Sequence, residues 1–198
     1  MAFGVIGMFE LLKEIRKPKI GKGTLNDLAV SCGVLALGIT LGIFAKWLDA
    51  LAIDDTIWWQ NLIGRFNLGI VFSEFGVWMM LAVVISVKSR SPLWAALRVL
   101  LFFAGMTVSY HWYSVHVCGF DPLEYMKIWY SIAAISPLLA FVCWYAGGSS
   151  AVSMIMKTLI LVVIVMVTLL KRFWDISIYR LPDFLICLAT FLVLYRKD

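Results

Sequence analysis

Long apolar stretches separated by short polar ones dominate this chain. A membrane helix needs about 20 mostly apolar residues at ~1.5 Å each. Six stretches meet or approach that length, at about 28–46, 68–87, 92–116, 128–146, 154–171 and 176–195. The second is interrupted only by Glu74 and the third by Arg98, while Gly147-Gly148 ends the fourth. The sixth reaches full length only when extended back through Pro182 to about Ile176, which carries Arg180 and Asp183 to membrane depth. The pattern predicts an all-α integral membrane protein, a six-transmembrane-helix bundle, with a kink at Pro137 in the fourth helix. No internal repeat is visible, so residues 1–198 read as a single polytopic domain.

The first residues follow another rhythm. Phe3, Ile6, Phe9 and Lys13 fall near helical spacing ahead of Arg16 and Lys17, and the spacing predicts a short amphipathic helix on the cytoplasmic leaflet within residues 1–23. The apolar part precedes the charges and no small-residue cleavage site follows, unlike a signal peptide. Pro18, Gly21 and Gly23 separate it from the first span. Basic residues flank the spans: Lys13 to Lys22 before the first, Lys88 and Arg90 between the second and third, Arg196 and Lys197 at the end. Asp49, Asp54, Asp55, Asp121 and Glu124 fall in the alternate loops. The positive-inside rule then puts both termini in the cytoplasm of a plasma membrane, which a bacterial source would suit. Lys171 and Arg172 run against the rule, and the other loops outvote them.

Composition agrees with the pattern. Of 198 residues, 63% are hydrophobic and 15% charged, and the mean hydropathy is +0.93. A soluble core of this size cannot hide so much apolar surface, so a lipid bilayer is the expected partner. Disorder and disulfide scaffolds are excluded. The net charge of +5 does not point to nucleic acid, because the basic residues flank apolar spans instead of forming one patch. Cys32, Cys118, Cys143 and Cys187 form no CxxC pair, and no metal site or cofactor is expected.

Charge inside hydrocarbon costs about 2.5–3.5 kcal/mol on insertion scales, so Glu74, Arg98, Arg180 and Asp183 are the candidate functional groups. Counting from the span ends puts Glu74 about 9 Å below the outer boundary and Arg98 about 9 Å above the inner one. They are then poor partners, and Arg98 is expected to snorkel inward or cap a cytoplasmic contact. Arg180 and Asp183 stand at i, i+3 and can pair. His111 lies near the outer boundary with them. Aromatic residues crowd the same level, among them Trp58, Trp59 and Trp112, whereas Trp78, Trp94, Trp144 and Tyr145 read as a sparser inner set. An interfacial aromatic belt explains many of the outer rings, and walls of a ligand pocket explain the rest. Small residues Ala29, Gly33, Gly38 and Gly42 mark the first span as a close-contact surface, for the bundle itself or for another membrane subunit.

Two resemblances bear on function. His111 and Cys118, separated by six residues in SYHWYSVHVC, resemble the His/Cys pair of the membrane peptidases that process quorum-sensing propeptides. Ser109 and Tyr110 stand where that family has Gly-Gly, and the predicted side is outer where those enzymes act inside. As a whole the layout is similar in organisation to the substrate-binding S-components of energy-coupling-factor vitamin transporters, which implies an outward site and a small-residue face on the first helix. The expected function is therefore non-enzymatic capture or transport of a small molecule from the extracytoplasmic side. Glu74, Arg180 and Asp183 would anchor the ligand, and His111, Trp112, Trp58 and Trp59 would shape the mouth. A non-catalytic partner or assembly subunit is one alternative, and a cysteine peptidase using His111 and Cys118 is the other.

Overall fold

The computed structural model describes residues 14–18, 23–169 and 180–196. These residues are helical with no strand among them. The helices are α1 (Thr24–Ala50), α2 (Trp58–Arg65), α3 (Leu68–Ser73), α4 (Phe75–Lys88), α5 (Pro92–His116), α6 (Leu123–Tyr145), α7 (Ala151–Leu169) and α8 (Leu181–Tyr195). Four of them, α1, α5, α6 and α7, are long and apolar enough to cross a membrane, and α4 and α8 are shorter apolar helices. The amphipathic segment expected before Glu14 lies outside the described residues, as do 170–179 with Lys171 and Arg172.

Helix ends follow local chemistry more than hydropathy. Helix α5 begins where the sequence predicts, because Ser91 Oγ accepts the Trp94 N–H at 3.3 Å and Pro92 opens the first turn. Helix α6 starts five residues before the apolar stretch, with Glu124 in its first turn where the helix dipole favours an anion. It also continues through Pro137. The Ala133 carbonyl, deprived of its N–H partner by the proline ring, accepts the Ser136 hydroxyl at 2.9 Å.

The second predicted span requires correction. It is not one helix over 68–87 but two, α3 and α4, meeting at Glu74, whose backbone is extended (φ −94°, ψ 160°). Asn67 enters α3 in the left-handed region at φ 48°. Ser73 folds its hydroxyl back onto the Gly69 carbonyl at 2.8 Å, a bond that competes with the backbone ladder. An apolar window carries no sign of such a break, because the interrupted ladder is repaired by distant side chains.

Helix α5 is the axis of the packing. It buries Val99, Phe102, Phe103 and Met106 against Trp78, Val83 and Val87 of α4 and Met126, Trp129 and Ala133 of α6. Helices α7 and α8 add Ile164 and Ile186 to the same core. Large apolar side chains such as Leu138 (70% exposed) and Leu139 (64%) point outward, a ring suited to lipid.

The small-residue face divides in two. A Cβ built on Gly38 would lie 2.3 Å from the Phe102 carbonyl oxygen, and one on Gly42 would lie 2.4 Å from that of Met106. From the other side, Gly105 faces the Leu35 carbonyl at 2.8 Å. Helices α1 and α5 therefore touch backbone to backbone, so Gly38 and Gly42 pack inside the chain, while Ala29 and Gly33 stay exposed. Hydrophobic burial does not drive helices together in lipid, so such close approach carries the association. Gly38→Ala should lower stability by about 1–3 kcal/mol through overpacking against rigid backbone. Gly33→Ala, with open space around it, should be neutral or gain up to about 1 kcal/mol from helix propensity. Thermal unfolding of both variants in lipid nanodiscs checks the opposite signs.

Candidate functional site

Two polar clusters occupy opposite ends of the bundle. At one end, the acidic end, α1 and α5 finish, α6 and α8 begin, and the α3–α4 break opens. The break leaves two carbonyls without helical partners, and aromatic side chains take them. Trp78 Nε1–H donates to the Phe72 oxygen at 2.9 Å, and the Tyr125 hydroxyl donates to that of Ser73 at 3.3 Å. Around this repair lies a narrow pocket, with closed room for about one water molecule, lined by residues that include Phe72, Ser73, Trp78, Tyr110, Tyr125 and Trp129. Trp78, which reads as part of an inner set in the sequence, is thus a wall of this pocket. Glu74 follows Ser73 directly, is partly exposed, and makes no ion pair or side-chain hydrogen bond among the described residues.

The other predicted site residues do not converge on Glu74. Arg180 and Asp183 pair with one another, Nε to Oδ2 at 3.5 Å. The same guanidinium donates to the carbonyls of Leu169 at 2.8 Å and Thr168 at 3.3 Å. It is 5% exposed and ties the start of α8 to the end of α7, where a cation suits the helix dipole. His111 stands between Tyr130, 2.7 Å from Nδ1, and Asp121, 3.0 Å from Nε2. A carboxylate only accepts, so Nε2–H is the donor to Asp121. Neither ring nitrogen bonds the Cys118 thiol, the contact a cysteine nucleophile needs from its base. Trp112 stacks on His116 at 5.1 Å and Trp59 on Trp47 at 6.3 Å. Trp58 is 78% exposed.

Beside the pocket, Asp49 accepts from Lys46 Nζ at 2.8 Å and from the Tyr110 hydroxyl at 3.2 Å. In the following loop the Thr56 hydroxyl, seconded by its backbone N–H, holds the Asp54 carboxyl below its ordinary range. Lys127 pairs with Glu124 at 2.6 Å. Among the described residues no three His, Cys, Asp or Glu side chains gather as a metal site.

The opposite, basic end holds what the sequence reading missed. Asp27, 4% exposed, bridges Arg98 at 2.7 Å and Arg90 at 2.8 Å. Arg98 does not snorkel into solvent; it is 6% exposed, and its remaining donors face the hydroxyls of Ser31 and Ser89 at 3.4 Å. Trp144 Nε1–H donates to the Ser89 carbonyl at 2.8 Å. Arg16 donates to the last carbonyls of two helices, Trp144 and Val87, and stacks over the Trp144 ring at 4.3 Å. Asp27 falls just before the first apolar stretch, so span counting passes over it. The available signal was an acid just ahead of the first apolar stretch in a chain whose third stretch carries an arginine, Arg98, with no acid of its own.

No family model matches the chain, and no curated protein or solved structure does. The geometry of the basic end carries its own expectation. Breaking one partner of a buried ion pair costs about 3–5 kcal/mol, whereas replacing the set with apolar groups is often neutral. Asp27→Leu should therefore destabilise strongly, and Asp27→Leu combined with Arg98→Met should recover more than half of the loss. Thermal unfolding of the single and double variants in detergent measures this.

Proposed function

We propose that the chain is a six-span plasma-membrane protein, both termini cytoplasmic, that captures a small molecule at its outer, acidic end. Helices α4 and α8 would supply the two further crossings, with α3 extending α4 toward the outer surface. The charge distribution supports this orientation. Arg16, Lys17, Lys88, Arg90, Arg98, Lys157 and Arg196 lie toward the basic end with only Glu14 and Asp27 against them among the described residues. Asp49, Asp54, Asp55, Glu74, Asp121, Glu124 and Asp183 lie toward the other end, against Lys46, Arg65, Lys127 and Arg180. Basic residues gather on the cytoplasmic side of membrane proteins.

The observation that carries the reading is the helix break. Discontinuous helices at membrane depth are tolerated where they line a cavity, and in transporters they mark the substrate site. Here the break at Glu74 opens onto an aromatic-walled pocket, and the Glu74 carboxylate, next in sequence to the lining residue Ser73, makes no ion pair among the described residues. Arg180 and Asp183 hold α7 to α8 in this reading, and His111 holds α5 to α6. Glu74 remains the anchor. Pockets of this kind bind through apolar walls and a few polar groups.

Native mass spectrometry of gently extracted protein tests the proposal. A discrete non-lipid adduct should be retained by the wild type and lost in Glu74→Gln. Wild-type protein that carries only lipid, or an adduct indifferent to Glu74→Gln, would overturn it.

A further inference from the structure

A short segment ahead of α1 crosses the basic end of the bundle, and ligand capture makes no use of it. We infer that residues 14–18 form a latch: Arg16, seated over Gly147-Gly148, clamps the basic ends of α4 and α6 together, and unseating it opens the seam between them. The latch is independent of whether the acidic end captures a ligand.

The grip is concentrated in two residues. Glu14, Lys17 and Pro18 are exposed, whereas Ile15 packs on the small cluster of Ala95, Trp144 and Tyr145, and Arg16 reaches across two helix ends. One guanidinium nitrogen donates to the Trp144 carbonyl of α6, and the other to the Val87 carbonyl of α4 at 2.8 Å. A planar guanidinium holds two acceptors in a fixed fork, which the point charge of an ammonium does not. The guanidinium carbon lies 4.3 Å from the centre of the Trp144 ring. That indole is fully buried, and its Nε1–H donates to the Ser89 carbonyl, just past α4, at 2.8 Å. Strap, indole and the end of α4 thus make one clasp across the seam.

The seat is shaped to the strap. A Cβ built on Gly147 would overlap the Arg16 guanidinium, whose atoms are its three nearest neighbours. One on Gly148 would lie 2.5 Å from the Ile15 carbonyl oxygen and from Ser153 Oγ. Neither glycine has a positive φ, so the backbone of the turn does not demand glycine there. The nearness of the strap does. A methyl group at position 147 is therefore compatible with the turn and incompatible with the seated guanidinium.

The clasp is also built to let go. Arg98, 6% exposed, is tied to a buried carboxylate and cannot leave without stranding it. Arg16 is only partly buried, and the carbonyls it holds are helix-end groups that water can satisfy in its place. Unseating it strands no charge in the core. Two thiols distinguish opening of the seam from general loosening. Cys143 of α6 lies in the seam, in hydrogen-bond contact with Ser86 of α4 and within reach of the Arg16 charge. Cys187 of α8 lies toward the opposite end, 3.2 Å from the Thr168 hydroxyl of α7.

The test labels the full chain in nanodiscs with a charged, membrane-impermeant methanethiosulfonate and follows each cysteine by peptide mass mapping. Two variants unseat the strap by different routes. Arg16→Lys keeps the charge and loses the fork, and Gly147→Ala fills the seat while meeting only the far end of a flexible side chain, so that the fold survives. Both should raise the labelling rate of Cys143 at least tenfold over the wild type and leave that of Cys187 within about twofold. An unchanged Cys143 rate in either variant would overturn the latch. So would a rise of Cys143 and Cys187 together, which would make Arg16 a general structural tie.

Discussion

Asp27 holds two guanidinium groups, and the seating of α1 on α5 depends on that bridge. In an apolar bundle a charge cannot be left alone, and here one carboxylate answers Arg98 from inside α5 and Arg90 from the turn before it. The pair fixes the register of α1 along α5 at one end. Register is what lets Gly38, Gly42 and Gly105 fall opposite backbone carbonyls farther along the same seam. A slip of one turn would bring Val34 or Lys46 to one of the α1 glycine positions and separate the helices there. The ion pair specifies the alignment, and the glycines turn the alignment into close contact.

The same end is locked a second time. Arg16 gathers the final carbonyls of α4 and α6, groups that every helix leaves without partners, and its charge complements two helix dipoles together. Arg180 does the equivalent for α7 at the opposite end. Each of these cations is explained by what it holds together. Glu74 is not. It sits where the helical ladder is interrupted within an apolar stretch, next to a pocket whose carbonyls at Phe72 and Ser73 accept from tryptophan and tyrosine.

Much of the fold was legible in the sequence. The limits of α5 follow from Ser91-Pro92 and a run of apolar residues, and the pairing of Arg180 with Asp183 follows from their spacing. The small residues of α1 did mark a contact surface, directed to α5 at Gly38 and Gly42. What hydropathy could not convey was three-dimensional repair. A window average over 68–87 sees one apolar helix because, of the groups that stabilise its interruption, Trp78 adds to the apolar pattern and Tyr125 lies outside the window. Depth counting placed Glu74 and Arg98 at different levels, and they do not meet. It could not find Asp27, which lies outside the apolar stretch that was counted, nor tell that His111 would be held between Tyr130 and Asp121. Sequence distance along a helix gives height, whereas partnership depends on which faces turn toward each other.

The function proposed implies a division of labour between charges that hold helices and one, Glu74, that would be kept for a ligand. Thermal unfolding of Glu74→Gln in nanodiscs, without added ligand, tests that division most directly. A carboxylate with no structural partner should be replaceable within about 0.5 kcal/mol, a shift of roughly 1–2 °C for a chain of this size. A fall of about 10 °C or more, the scale expected for losing a partner of a buried ion pair, would show that Glu74 holds the bundle together and would contradict the account.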